Sequence, residues 1–224
     1  MTKIGFVLPV YREKPQNIER AILLIKKHFE DALIIVVADD VESGETAKKL
    51  DAVVPYHPKK LGFGKSLCEG LCLAWFTYDC DVVVTVDVDH PFEAAARFIE
   101  KLDKCDVIVG RELGGWKRSR VWSNQLVRKF LFNDVSNPTC GFTAWKSSVL
   151  RRLPWGKIKS TWDAVHIELL FWAKDLGAKI CEEPFEEVKK ERRYVFSRYV
   201  NWLFSFLRLL RLKYIYGYGK GKGG

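Results

Sequence analysis

Asp87-Val88-Asp89-His90-Pro91 follows directly on the apolar run Asp81-Val-Val-Val-Thr-Val86. A short β-branched run of this kind reads as a buried strand. Carboxylates just past it stand at the carboxyl end of a sheet, where open α/β folds bind ligands. Residues i and i+2 on extended backbone point the same way. Two hard oxygen donors on one side are what a Mg²⁺ or Mn²⁺ ion bridging phosphates requires. The plainer alternative is a pair of turn carboxylates ending a strand.

Three further segments sit where strand ends should converge. Leu8-Pro9-Val10-Tyr11-Arg12-Glu13 is either a pocket wall for a base or ribose, or an ordinary strand exit. Asp39-Asp40 follows the apolar run 34–38, and a carboxylate there can accept hydrogen bonds from a nucleobase N–H or from ribose hydroxyls. Leu61-Gly62-Phe63-Gly64-Lys65-Ser66 is a glycine-rich turn opening a helix, where backbone N–H groups near Gly64 and the Lys65 cation suit phosphate. It is not a P-loop, because GxxxxGK[ST] needs Gly where Lys59 stands and follows a first strand. Farther on come Asn137-Pro138-Thr139-Cys140-Gly141-Phe142, Trp162-Asp163 and His166-Ile167-Glu168. A Gly beside a bulky aromatic residue in a polar loop suits an acceptor site. Glu168 is either a first-turn helix charge or a pocket carboxylate. His90 and His166 belong to no ligand-spaced set and read as structural or supporting groups.

The elements that must position these groups alternate. Strands are expected at Ile4–Val10, Leu33–Ala38, Ala52–Tyr56, Asp81–Val86, Asp106–Gly110 and Ala178–Glu183. Helices are expected at Asn17–Phe29, Lys65–Tyr78, Phe92–Leu102, Ser119–Phe132 and Ala164–Leu176, with a loop over Asn133–Cys140. The β-α-β order predicts an α/β fold with a largely parallel central sheet and helices on both faces.

Composition narrows the setting. The 224 residues are 48% apolar and 13% aromatic, enough for one substantial core. Met1–Val10 lacks the pattern of a secretory signal and reads as a first strand, so a cytoplasmic location is expected. The six cysteines contain no CxxC pair. A thiolate site at Cys68 and Cys72 is conceivable, but buried free thiols in a reducing compartment are the expected state. The net charge of +9 lies wholly in the last 36 residues, which hold 10 basic groups against Glu191 alone. A neutral body argues against a nucleic-acid partner, and a basic tail addresses an anionic surface. Within Val195–Ile215, Arg198, Asn201, Ser205 and Arg208 make one stripe, and Tyr199, Trp202, Leu203, Phe206, Leu207 and Leu210 cover the rest. Its charges interrupt any spanning run, so an amphipathic helix on a membrane surface is expected, the alternative being a helix packed on the core. The division expected is a domain over 1–194, this helix over 195–216 and a disordered tail over 217–224.

The order Pro9-Val-Tyr11, Asp39-Asp40, Leu61-Gly-Phe-Gly64, Asp87-x-Asp89, Val109-Gly-Arg111, Thr139-Cys-Gly-Phe142 and Ile167-Glu-Leu-Leu170 resembles the family 2 inverting glycosyltransferases of GT-A fold. Within them it is most similar to the dolichol-phosphate mannose synthase group, over about Ile4 to Tyr199. The resemblance implies that Pro9, Tyr11, Glu13 and Asp39 contact the nucleoside of a GDP- or UDP-sugar. It implies that Asp87 and Asp89 hold the metal and the diphosphate, with Asp89 the main ligand. Arg111, Arg118, Arg192 and Arg193 become candidates for donor and acceptor phosphates, a role that the planar guanidinium suits. The sequence departs from the group's pattern at Val41-Glu42, at His90-Pro91 directly after the acidic motif, at Asn137 and at Cys140.

The implied reaction moves mannose or glucose to a polyprenyl or dolichyl phosphate at the cytoplasmic face of a membrane. Such an acceptor is already anionic and needs no catalytic base. A hydroxyl acceptor would need one, for which Asp163 and Glu168 are the candidates. Two other classes compete: an inactive GT-A interaction module, and a nucleotidyltransferase, which would want a Gly-rich basic loop where Pro9-Val-Tyr-Arg-Glu13 stands.

Overall fold

The computed structural model describes residues 2–55, 57, 60–114, 118–132, 134–186 and 196–218, with 118–120 and 196–199 given by their backbone. The domain boundary expected at 194/195 and the expected tail beyond 218 lie outside these residues. The chain runs β1 (Ile4–Val10), α1 (Pro15–His28), β2 (Leu33–Ala38), α2 (Val41–Lys48) and α3 (Phe63–Cys72), which continues into a π turn at Leu73–Thr77. It goes on through β3 (Val82–Thr85), α4 (Ala95–Lys101), β4 (Val107–Leu113), α5 (Arg118–Phe130), β5 (Thr143–Lys146), α6 (Ser147–Leu150), α7 (Ala164–Asp175), β6 (Ile180–Glu186) and α8 (Phe196–Tyr216).

The six strands form one sheet in the order β2-β1-β3-β5-β4-β6. Pairings β1/β2, β1/β3 and β4/β6 are parallel, and β5 runs antiparallel between β3 and β4. Both faces are covered, as the unbroken apolar runs of β1 and β2 require. Phe6 points to one face and meets Phe29 at the end of α1, with ring centroids 5.0 Å apart. Val7 and Val37 point to the other face, against α3 at Gly70. A Cβ on Gly70 would fall 2.3 Å from Val7 Cγ1, so the absent side chain sets the helix-to-sheet distance.

Several elements depart from the sequence reading. The stretch Ala52–Tyr56, expected as a strand, supplies only an isolated bridge of Val53 to Ile35 among the described residues. The four-residue β5 and the helix α2 were not anticipated. Asp40 caps α2: its carboxylate accepts the Ser43 N–H at 3.0 Å and the Arg12 N–H at 2.6 Å. Burial pushes the Asp40 carboxyl upward, but these N–H donors, the Ser43 hydroxyl and the Arg12 charge outweigh it and hold the group below the usual carboxylate range.

The free-thiol expectation is corrected at one pair. Cys105 and Cys181 form a disulfide, because the parallel pairing of β4 with β6 sets Val107 beside Ile180 and brings the cysteine Cα atoms to 6.2 Å. Cys68, Cys72 and Cys80 remain free thiols. Burial raises the Cys68 thiol to about 12 and the Cys72 thiol to about 11, which disfavours a thiolate metal site.

The C-terminal helix α8 packs on the body through Phe206 and Leu209, which are buried. No described helix is long and apolar enough to cross a membrane.

Two outcomes follow. Gly70→Ala should lower unfolding stability by about 1–3 kcal/mol through overpacking, measured by urea titration. Asp40 has a depressed folded pKa, so its contribution is complete above the unfolded value of about 4 and fades as pH falls below it. Asp40→Asn should therefore melt ~1–3 °C below the wild type at pH 7, and the gap should narrow progressively as the solution is acidified below about pH 4.

Candidate active site

The acidic motif is a closed turn at the end of β3. The His90 N–H donates to the Asp87 carbonyl at 3.1 Å, and the Asp87 N–H donates to His90 Nδ1 at 2.8 Å. An accepting Nδ1 places the ring proton on Nε2, which faces Asp87 Oδ2 at 3.8 Å. The imidazole is buried and stacks on Phe142, centroids 5.1 Å apart. One ligand atom of each of Asp87, Asp89 and His90 lies within 4.8 Å of the others. Two carboxylates form a donor pair that suits Mg²⁺ or Mn²⁺, while the His90 ring, with Nδ1 accepting and Nε2 protonated, braces the turn. His90, read from sequence as a supporting group, belongs to this cluster.

The antiparallel β5 brings a distant segment to the motif. Its first residues lie at the edge where β3 and β4 end. Thr85 Oγ1 bonds the Gly141 carbonyl at 2.6 Å, and the Gly110 N–H donates to the Phe142 carbonyl at 2.8 Å. The Asp87 carboxylate lies against Gly141, where a Cβ would come within 3.3 Å of its oxygen. From α7, His166 is fully buried. Burial depresses its pKa against the upward pull of Asp163 and Asp87, the two carboxylates that face it. Asp163 is the N-cap residue of α7.

The glycine-rich turn and the exit of β1 form a second wall. β3 stops pairing opposite Val7, so Pro9, which lacks an N–H, stands past it. Tyr11 is 43% exposed, with Lys60 Nζ 3.2 Å from its ring centroid. Arg12 takes a left-handed φ of 51°, held by its bond to Asp40. Glu13 accepts from Asn17 at the start of α1. Asp39 is nearly buried: its two oxygens accept the Leu61 and Gly62 N–H groups at 3.0 and 2.8 Å. Its carboxylate therefore fastens the glycine-rich turn to β2. Gly64 lies against the Ser160 carbonyl, and Lys65 is exposed in the first turn of α3. Residues Leu61–Lys65, Thr161, Trp162 and Asn201 of α8 line a cleft of about 340 Å³.

Glu168 requires correction as a candidate base. It is wholly buried: Oε2 accepts the Lys159 and Ser160 N–H groups at 3.0 and 2.7 Å, and Oε1 accepts Trp172 Nε1 and pairs with Arg208. A carboxylate so engaged holds structure and has no route to an acceptor proton. Arg111 is exposed within β4, opposite Pro184 of β6. Arg118 begins α5, and its side chain lies outside the description, as do Arg192 and Arg193 altogether. Sequence reasoning missed Lys60, Asn201 and Arg208 as members of the site's surroundings. The polar stripe Arg198-Asn201-Ser205-Arg208 was their signal for α8, since Asn201 and Arg208 both turn to the body.

No protein-family model matches the chain. Undecaprenyl-phosphate mannosyltransferase of Micrococcus luteus is 25% identical over 176 residues, 70% of this chain and 72% of that protein. Glucosyl-3-phosphoglycerate synthase of Mycobacterium tuberculosis, solved with Mn²⁺, UDP-glucose and phosphoglyceric acid, matches with a TM-score of 0.74 and 20% identity over 93% of this chain and 80% of that one. Its structure with Mg²⁺ and UDP matches with a TM-score of 0.71 and 21% identity over 94% and 78%. These bear out the GT-A architecture, a mixed sheet with an acidic turn at its carboxyl edge. By fold the chain is of GT-A type, and by sequence it is similar to the undecaprenyl-phosphate mannosyltransferase of Micrococcus luteus.

Proposed function

We propose that this chain transfers a hexosyl group from a UDP- or GDP-sugar to a polyprenyl phosphate, with inversion, at the cytoplasmic face of a membrane. The observation that carries this reading is the convergence of Asp87, Asp89 and His90 with Gly141 at one sheet edge. The Micrococcus luteus relative supports the acceptor and the sugar, and the mycobacterial structures support the nucleotide and the metal.

Asp87 and Asp89 would hold the cation, which when bound neutralises the departing diphosphate. The Tyr11 wall and the turn fastened by Asp39 shape the nucleoside side, and Lys65 and Arg111 supply exposed cations for phosphate. An acceptor phosphate oxygen attacks the anomeric carbon opposite the leaving group. The C–O bond to the diphosphate breaks, and its electron pair leaves with the nucleoside diphosphate. The acceptor oxygen brings its own charge, so no side chain need take a proton. For a hydroxyl acceptor, Asp163 is the candidate base.

The membrane reading rests on the orientation of α8. Val200, Leu203, Phe204, Leu207, Tyr214 and Ile215 are all exposed, with Arg211 among them. Their spacing puts them on one outward face. A surface helix in water normally turns its polar face outward; here the polar stripe faces the body and the apolar face looks out. An aromatic and aliphatic face with basic anchors fits an anionic lipid interface.

Incubation with UDP- and GDP-hexoses, Mn²⁺ and undecaprenyl phosphate should release nucleoside diphosphate only when the lipid is present. Asp89→Ala should reduce that release at least 100-fold with an unchanged melting temperature. Release with a hydroxyl or soluble phosphorylated acceptor instead would redirect the acceptor assignment, and nucleotide binding without turnover would mark an inactive module. Leu203→Ser/Phe204→Ser/Leu207→Ser should weaken sedimentation with phosphatidylglycerol vesicles about tenfold or more while leaving nucleotide affinity unchanged, each side chain being worth about 1.5–3 kcal/mol when buried.

A further inference from the structure

The outward face of α8 and the cleft are joined by one buried contact. Arg208 leaves the inner side of α8 and pairs with Glu168 Oε1. The other oxygen of Glu168 holds the Lys159 and Ser160 N–H groups. Arg208 also reaches the same segment directly, with Nη2 3.4 Å from Ser160 Oγ and Nη1 3.5 Å from the Lys157 carbonyl. That segment leads straight into Thr161 and Trp162 of the cleft and then Asp163. Trp162 takes a left-handed φ of 52°, an unfavourable backbone for an aromatic residue, which neighbouring contacts must hold in place. On its far side the segment is seated against the first turn of α3, the Ser160 carbonyl lying against Gly64. The loop is therefore clamped between α3 and Arg208.

We propose that Arg208 is a positioning residue that transmits the seating of α8 to the loop Lys157–Asp163, so that what occupies the outer face of the helix sets the geometry of the cleft. A carboxylate with no exposure is stable only while its charge is matched by fixed donors and a fixed cation. Three of those partners belong to the loop and to α7, and the fourth, Arg208, belongs to α8. A shift of α8 withdraws the cation, and the peptide N–H groups on the same carboxylate must readjust. With lipid as the occupant this rests on the membrane reading above, whereas the link from helix to loop rests on the contacts alone.

The test compares the full-length wild type with Arg208→Met and Arg208→Lys. Amide hydrogen exchange of residues 157–163 is followed with and without phosphatidylglycerol vesicles, beside vesicle sedimentation and steady-state kinetics. In the wild type, vesicles should slow exchange in the loop about tenfold. Arg208→Met should sediment with vesicles as the wild type does, yet show fast loop exchange in both conditions. Its kcat should be at least tenfold lower at a nucleotide-sugar KM within threefold of wild type, and Arg208→Lys should recover part of the loss. Loop exchange and kcat equal to wild type in Arg208→Met would overturn the proposal. If the wild type does not bind vesicles, the membrane reading fails by itself, and loop exchange in vesicle-free buffer still decides the link: equal rates in wild type and variant exclude it. Should Arg208→Met not fold, Arg208→Lys carries the same comparison.

Discussion

The antiparallel insertion of β5 between β3 and β4 is the constraint from which the site follows. Because β5 runs against its neighbours, residues 139–142 begin at the edge where β3 and β4 finish. A parallel β5 would carry them to the opposite edge, roughly 13 Å away for four extended residues. The hydroxyl of Thr85 secures the arrangement from inside the sheet, bonding both the Gly141 carbonyl and, at 2.7 Å, the Thr143 hydroxyl. Asp87, two residues beyond Thr85, then meets the bare backbone of Gly141. Metal-type carboxylates and the cysteine-glycine-phenylalanine turn are neighbours through this pairing, although more than fifty positions separate them in the chain.

Asp39 and Glu168, two acidic residues among the candidates read from the sequence, share a logic. Asp39 gives both carboxylate oxygens, and Glu168 one, to N–H donors of a loop that borders the cleft. Buried carboxylates persist where such donors compensate their lost hydration. In doing so they convert two flexible connections, 61–62 and 159–160, into fixed walls. The cleft is thus shaped by anions turned away from it, and the exposed cation Lys65 is part of its lining.

Much of this frame is legible in the residues. β1, β2 and the helices α1 and α7 follow from apolar runs and helical periodicity, because each buries a continuous surface. The acidic turn follows from its place behind a β-branched run. What could not be read has physical causes. Thr143–Lys146 is too short and too mixed to announce a strand, and it exists only because two neighbours supply its hydrogen bonds. The α2 segment contains Ser43, Gly44 and Thr46, all poor helix formers, and depends on the Asp40 cap. The pairing of Cys105 with Cys181 and of Glu168 with Arg208 joins residues brought together by sheet order and helix docking. Neither property leaves a local trace. The polar stripe of α8 was visible, but its direction was not, since a helical wheel cannot say which side meets the protein.

That direction has a practical bearing on the molecule out of its setting. A helix whose apolar side looks outward makes the folded protein a weak surfactant in plain buffer, drawn to air bubbles, plastic, detergent monomers and its own kind. Apparent size and recovery then depend on concentration and on the amphiphile supplied, while the sheet and its acidic turn stay intact. An aggregating preparation of this chain is therefore compatible with a fully native fold, and the additive chosen to disperse it competes for the same helix face that a lipid would occupy.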